Sequence, residues 1–394
     1  MRNNWTETSL GEIVSLNPEA VRNFELNRKI VYVDLSSVSS EKGIAKDLEI
    51  SFFKDAPGRA RRVIRVDDVI VSTVRPYLKG FAQVPRYLDG QVASTGFAVL
   101  RVVENKTIPG FIWAIVRTEQ FVAHLMERAT GSSYPAVRPE DISSFGIELP
   151  PLDEQKRIVD VVSSVDAYID ALQQQAGTAR TARNAVLHEL LSAGGDDWTE
   201  STLGDISIFV SRRELPKGLA LDTPYVGLEH VEPKTTLIST WGNVKSVSSS
   251  VTPFEPEDTL FGRLRPYLHK VAFADFPGVC SPEILVLRSS SKCMPKFLYL
   301  LCSLDSTVKK CVDMSAGTRM PRTSTTDLAS IEIQLPPLDE QKRIVEIVSS
   351  MDDVIQSTEQ AVIDAKNLRS GLLSDLLSGE HEIPASYDSL LGAA

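Results

Sequence analysis

The stretch LPPLDEQKRIV occupies residues 149–159 and returns letter for letter at 335–345, 186 residues later. After its first copy, Ile158, Val162, Val165, Ile169, Leu172, Ala176 and Ala179 recur at alternating steps of four and three, the seam of a coiled coil. The second copy answers in register with Ile344, Val348, Met351, Ile355, Thr358, Val362 and Ala365. Both runs reach Leu-Leu-Ser, at 190–192 and 376–378. Pro150, Pro151 and Leu152 hold the incoming chain extended, Asp153 can accept from the orphan amides of a first turn, and Glu154 suits the positive end of a helix dipole. The pattern predicts two helices of about 40 residues, each roughly 60 Å long. Two seams that meet must keep equal length, because one residue gained or lost turns the apolar stripe by about 100°.

Working outward, the whole chain is written twice. WTETSLGEI at 5–13 returns as WTESTLGDI at 198–206, YVDL at 32–35 as YVGL at 225–228, and VRPYLKG at 74–80 as LRPYLHK at 264–270. The offset between copies drifts from 193 at Trp5 to 190 at Arg75 and 187 at Ser94, then holds at 186 from Phe111 onward. Insertions and deletions are confined to the early part of each copy. That early part reads as mixed α/β: IVYVDL, DDVIVSTV and GFAVLRVV, then YVGLEHV, DTLFGRL and EILVLRS, are short β-rich runs between turn residues. The apolar-periodic stretches from Pro109 to Gly131 and from Pro295 to Gly317 each predict one capped helix of about five turns. The expected organisation is a domain at 1–148, a long helix at 149–194, a second domain at 195–334, a second long helix at 335–380 and a tail at 381–394.

Of the 394 residues, 42% are apolar and 24% charged, a globular composition without low-complexity tracts. The opening MRNNWTETSLGEI has no basic region followed by an apolar stretch, and no run of 18 apolar residues occurs, so a cytoplasmic chain is expected. Cys280, Cys293, Cys302 and Cys311 match no CxxC pattern and read as structural thiols; the five histidines have no metal-ligand spacing, so no metal is expected. The net charge of −10 is unevenly spread. Residues 1–148 balance at +1 and 195–334 at −2, leaving nine of the excess negative charges to the long helices and tail.

No GxxxxGK[ST] loop, dinucleotide-binding glycine loop or NPPY-like tetrapeptide is present, so catalysis by this chain is not expected. Asp153-Glu154-Gln155-Lys156 has the residue types of a PD-(D/E)xK nuclease. Its acids and lysine, however, fall within one helical turn, whereas that site needs a separate acidic residue beside a strand-borne ExK.

The doubled LPPLDEQKRIV, the loops TGSSYPAVRPEDI and AGTRMPRTSTTDL before it, and the W-x4-LG-[ED]-I opening of each half resemble the specificity subunit of type I restriction-modification systems. The resemblance covers essentially the whole chain. It implies an α/β protein with two pseudo-symmetric target-recognition domains joined by two long antiparallel coiled-coil helices. It also implies a non-catalytic subunit that binds double-stranded DNA, each domain reading one half of an asymmetric bipartite target. The helices then set the spacer, near one DNA turn or about 34 Å, and dock two methyltransferase subunits. This chain holds no cofactor of its own; S-adenosylmethionine belongs to the methyltransferase partners, and ATP with Mg to two translocase-nuclease subunits where those are present.

For DNA contact, the candidates are Arg75, Tyr77 and Lys79, with Arg265, Tyr267 and His269, on loops where proline is expected to hold the preceding arginine extended. Because both copies keep RPYL, a scaffold or phosphate role is favoured there over base readout. Base readers should differ between copies, which points to Ser132, Ser133 and Tyr134, and to Thr318, Arg319 and Arg322. Basic patches add Arg59, Arg61, Arg62 and, in the second domain, Arg212 and Arg213, as phosphate contacts or solvated surface. The identical Asp153, Glu154, Gln155, Lys156, Arg157 and Asp339, Glu340, Gln341, Lys342, Arg343 are expected to form two equivalent outward docking faces. A duplicated protein-interaction scaffold is the competing reading.

Overall fold

The computed structural model describes residues 4–22, 24–40, 43–233, 238, 240–315, 320–379 and 383–388. They form two compact units, Met1–Leu172 with Ala361–Ala394, and Gln173–Gln360. Each unit therefore takes one end of each long helix, Leu152–Ser192 and Leu338–Leu377.

In the first unit an antiparallel sheet runs in the order Val14–Leu16, Phe97–Val102, Val69–Ser72, Phe81–Gln83. A second sheet runs Ile50–Phe52, Lys29–Val33, Val92–Ser94, Ala60–Val63, with its central pair parallel. Thr6–Ser9 pairs with Gly146–Leu149 just before the long helix. The second unit repeats this strand order. Its sheets are Ser207–Phe209, Ile284–Ser289, Thr259–Gly262, Val271–Phe273 and Gly242–Asn243, Pro224–Val226, Gly278–Cys280, Thr252–Phe254, with Thr199–Thr202 on Glu332–Leu335.

The continuous apolar run at 69–71 follows from burial on both faces. Val69 and Val71 share a core with Phe111, Ile115, Ile158, Val162 and Leu373, while Ile70 packs with Val33, Ile64, Leu88 and Val99. In the second unit Phe261 joins Phe297, Leu301, Leu187, Ile344 and Val348, and Leu260 faces Val226, Phe254 and Val286. Just before each of these strands, a buried carboxylate takes an arginine fork. Asp68 accepts from Arg101 Nε and Nη2 at 2.8 Å each, and Asp258 from Arg288 Nε and Nη2 at 2.9 and 2.8 Å. The glycine of each W-x4-LG opening permits a close approach. A Cβ on Gly11 would meet that of Ser143 at 2.9 Å, and one on Gly204 that of Ala329 at 3.1 Å.

The helix expected between Pro109 and Gly131 is two helices, Pro109–Val116 and Glu119–Arg128. Thr118, extended at ψ 149, ends one and caps the other by accepting from the Phe121 amide. Its counterpart is likewise split into Pro295–Cys302 and Asp305–Met314 around Leu304, at ψ 136. Both residues are compatible with a helix interior, so periodicity alone ran through them.

Within each unit the long-helix segments run antiparallel. In the first unit Ile169, Val362 and Ala365 form one buried cluster with Val165 and Leu172 against it. Asp166 accepts from Arg369 Nη1 at 2.9 Å and from Arg117 Nη1 at 2.8 Å. Burial holds the Arg117 guanidinium below its ordinary pKa, against the pull of Asp166. In the second unit Arg183 donates to Asp352 at 3.0 and 3.4 Å, and Arg180 pairs with Glu359. Under the 186-residue repeat, Asp166 becomes Asp352 and Arg183 becomes Arg369, so both units contain the same ion pair.

Candidate nucleic-acid interface

The RPYL motifs form one-turn helices, Pro76–Leu78 and Pro266–Leu268, that end the strands Val69–Ser72 and Thr259–Gly262. Arg75 is not extended but left-handed, at φ 50 and ψ 57, and Arg265 matches it at φ 52 and ψ 62. Proline disfavours the right-handed region for the residue before it but leaves the left-handed one open. Here the turn closes on it, with the Leu78 amide donating to Arg75 O and the Leu268 amide to Arg265 O, each at 2.9 Å. Lys79 and His269 close the turns in a second left-handed residue, φ 49 and φ 51. Four non-glycine residues thus hold a conformation costing about 1–2 kcal/mol each.

What the strain achieves is exposure of the residues inside the turn. Tyr77 and Leu78 are 48% and 55% exposed, and Tyr267 and Leu268 are 55% and 37% exposed. Lys79 and His269 instead brace the turn. Lys79 Nζ lies 2.6 Å from Glu119, while His269 is buried, its ring nitrogens 2.9 Å from Ser303 O and 3.1 Å from Asp305. His269 therefore leaves the solvent-facing set.

The structure brings the turn and the loop before the long helix together, although they are some 60 residues apart in sequence. The Arg75 amide donates to Pro135 O at 2.7 Å, Val137 N to Thr73 O at 2.9 Å, and the Arg75 guanidinium lies 4.3 Å over the Tyr134 ring. Ser132, Ser133 and Tyr134 are exposed beside it. On the other side Thr73 N donates to Gly96 O, and the neighbouring Thr95 N donates to Arg59 O. Arg59 and Arg61 are exposed and Arg62 half-buried, so the basic patch continues the same edge.

In the second unit the Arg265 amide donates to Pro321 O at 2.8 Å, the Thr323 amide to Arg263 O at 2.9 Å, and the Arg263 amide to Glu283 O at 2.9 Å. Arg322 reaches Glu283 at 2.6 Å. Arg213 is exposed close to this group, and Arg212 pairs with Glu214 at 2.7 Å. Thr318 and Arg319 lie outside the described residues. Arg263 and Glu283 were missed from sequence, although Arg263 stands where the first copy has Thr73, a difference the repeat exposes.

Of the residues expected on the docking faces, only some lie at the surface. Asp153, Lys156, Asp339, Lys342 and Arg343 are exposed, and Glu340 and Arg157 are half-buried. Gln155 and Gln341 are fully buried and Glu154 nearly so, so these three are not surface residues. Gln155 accepts from Thr107 Oγ1 and the Ile108 amide and donates to Lys106 O and Pro150 O. Gln341 accepts from the Met294 amide and donates to Lys292 O and Pro336 O. Glu154 accepts from Trp5 Nε1 at 2.9 Å. The glutamine in each repeat thus fastens the first turn of a long helix to the start of the helix Pro109–Val116 or Pro295–Cys302. That internal role is one reason the stretch is identical in both copies.

Burial pushes the Cys280 and Cys293 thiols up to about 12 and Cys311 up to about 11, leaving them protonated at neutral pH. Among the described residues no group of three or more His, Cys, Asp or Glu could hold a metal ion, and no helix is long and apolar enough to cross a membrane.

Two α/β heads of one topology, each carrying the same strained turn and each tied to the start of a long helix, make a duplicated, helix-mounted α/β protein. The family profile described as the type I restriction modification DNA specificity domain matches residues 3–177 and again 195–365, and the chain belongs to this family. It is 28% identical over 169 residues to the HindI specificity subunit of Haemophilus influenzae, covering 42% of this chain and 36% of that one. It is 22% identical over 305 residues to the EcoDI specificity subunit of Escherichia coli, covering 66% of this chain and 67% of that one. A similar fold occurs in a chain solved for complex assembly and conformational transition of the type I R-M system, with a TM-score of 0.60 at 24% identity over 97% of this chain and 99% of that one. The type I S subunit from M. genitalium has a TM-score of 0.54 at 16% identity, over 96% of this chain and 97% of that one.

Proposed function

We propose that this chain is the non-catalytic, sequence-reading subunit of a type I restriction-modification complex. Each head reads one half of an asymmetric, bipartite DNA target, the paired helices set the length of the unread spacer, and the exposed acidic and basic residues of the helices dock two methyltransferase subunits. S-adenosylmethionine is held by those partners, and ATP with Mg by translocase-nuclease subunits where these join. The domain division at 148, 194, 334 and 380 describes the same proposal as reading heads, spacer helices and tail.

The observation that carries the reading is the turn at 75–79 and 265–269. Both heads spend the same backbone strain to present the same exposed tyrosine and leucine, beside positions whose chemistry differs between the heads. A shared phosphate-facing scaffold with divergent neighbours is what two readers of different half-sites need. Neither head is strongly basic, so modest affinity of the isolated chain for DNA is expected, with partners supplying much of the counter-charge.

The chain produced with an adenine methyltransferase partner is expected to direct methylation to one two-part motif of constant spacing, read by single-molecule methylation mapping. Methylation without a discrete motif, or co-purification with partners that have no role on DNA, favours the protein-scaffold reading instead. The spacer follows helix length. A heptad added to one helix alone leaves the other short, because each unit uses an end of both helices. Seven residues added after Leu172 and seven after Gln360 are therefore expected to lengthen the spacer by about three base pairs, from a rise of roughly 10 Å and about 3.4 Å per pair. An unchanged spacer refutes the ruler.

A further inference from the structure

The two heads hold opposite chemistry at one place in a common scaffold. The strand pair Thr259–Gly262 and Ile284–Ser289 ends with Gly262 opposite Ile284, which sets Arg263 against Glu283 in the next position. In the first head that position holds Thr73 against Gly96, and the Thr73 hydroxyl merely donates to Gly96 O at 2.9 Å. The third neighbour, on the loop before the long helix, is Arg322 in the second head and Ala136 in the first, each bridged to the residue before the RPYL arginine. Around these three positions the scaffold is the same: the left-handed arginine, the exposed tyrosine, and the loop amide and carbonyl contacts.

We propose that Arg263 is a specificity-determining residue of the second head, reading the guanine of one G·C pair with its guanidinium fork, while Glu283 and Arg322 position it. This rests on the DNA-reading function proposed above. Arg263 is half-buried, its Nε is shielded from solvent, and its guanidinium makes no hydrogen bond to any described residue. A planar donor fork that makes no internal hydrogen bond suits the O6 and N7 acceptors of guanine. Glu283 Oε1 takes Arg322 at 2.6 Å while its buried Oε2 has no hydrogen-bond partner among the described residues, so Arg263 lies beside a carboxylate that it does not engage. Burial above all, with the neighbouring Arg322 and Arg213, holds the Arg263 pKa below its ordinary value, opposed by Glu283. A phosphate-only contact needs no such burial, since an exposed lysine or arginine serves it.

The test uses the full chain with its methyltransferase partner in a host lacking that methylation, with methylated motifs mapped genome-wide. Arg263→Thr installs the residue the first head carries at this place, and Arg263→Lys keeps the charge but loses the fork. Both variants are expected to leave one half-site and the spacer unchanged and to relax a single G·C position of the other half-site, discrimination there falling roughly ten- to hundredfold. An unchanged motif overturns the proposal. So does an even fall in methylation that Arg263→Lys restores, the signature of a phosphate contact. If Arg263→Thr gives no methylation, the soluble Arg263→Lys complex decides by whether that one position relaxes. A wild-type chain that directs no discrete motif overturns the underlying reading as well, which separates the two failures.

Discussion

Gln341→Leu is expected to lower the stability of the second unit by on the order of 4 kcal/mol, although the substitution is nearly isosteric and apolar. The side chain is fully buried, and its amide serves three backbone groups: the Met294 amide at 2.9 Å, Lys292 O at 3.0 Å and Pro336 O at 2.9 Å. Leucine fills the space and strands all three. Each buried group left without a partner costs about 1–3 kcal/mol, partly recovered by relaxation and water entry. For a unit of this size the loss corresponds to a fall in melting temperature on the order of 10 °C. Gln155→Leu does the same in the first unit, where Thr107 Oγ1, the Ile108 amide, Lys106 O and Pro150 O depend on Gln155. Calorimetry measures the loss, and amide exchange locates it. The Met294 amide should exchange faster in Gln341→Leu, and the Ile108 amide should not. A melting temperature within 2 °C of wild type would show that water replaces the glutamine without penalty.

These glutamines also mark the boundary of what the sequence revealed. The seams from Ile158 and Ile344 were legible because a helix with one buried stripe must repeat its apolar residues at three and four. The duplication was legible because both copies keep length from Phe111 onward. A polar residue between charged neighbours carries no such signal. Gln155 sits in DEQKR and reads as surface, since its partners lie 5 and about 48 residues away in backbone that only the fold brings near. The left-handed Arg75 was hidden for a different reason. The proline rule removes the right-handed region, and the choice between the remaining two is made by Pro135 O and the turn itself. At the candidate interface, RPYL and the TGSSYP loop were each visible, but their adjacency depends on strand-end hydrogen bonds. Arg263 required both the repeat and the strand register, because Thr73 and Gly96 show a contrast only once they are known to be neighbours.

Asp352→Ala is expected to cost about 3 kcal/mol, more than its own lost contacts suggest, because it abandons a charge inside the helix seam. Arg183 continues the series Ala176, Ala179 at the next seam position, with its side chain 9% exposed against 17% for Asp352. Its fork donates to both carboxylate oxygens, at 3.0 and 3.4 Å. Removing the acid leaves the guanidinium desolvated with, among the described residues, Asn184 at 3.3 Å as its remaining hydrogen-bond partner. Arg183→Leu should cost less, since the more exposed Asp352 can turn toward water. The double variant Arg183→Leu, Asp352→Leu is expected to regain most of the stability, because apolar replacement removes both desolvation penalties. On that outcome the pair contributes register rather than strength, as a single polar seam residue does in other coiled coils. Its twin Asp166–Arg369, at 2.9 Å, stands at the repeat-equivalent position of the other unit, so a helix that slides by one heptad loses an ion-pair partner. Combining the leucine pair with Asp166→Leu, Arg369→Leu and Arg117→Leu should leave a folded chain whose directed methylation shows more than one spacer length. A double variant as unstable as Asp352→Ala would mean the pair is a net source of stability, and a single spacer in the combined variant would mean the apolar seam alone sets the register.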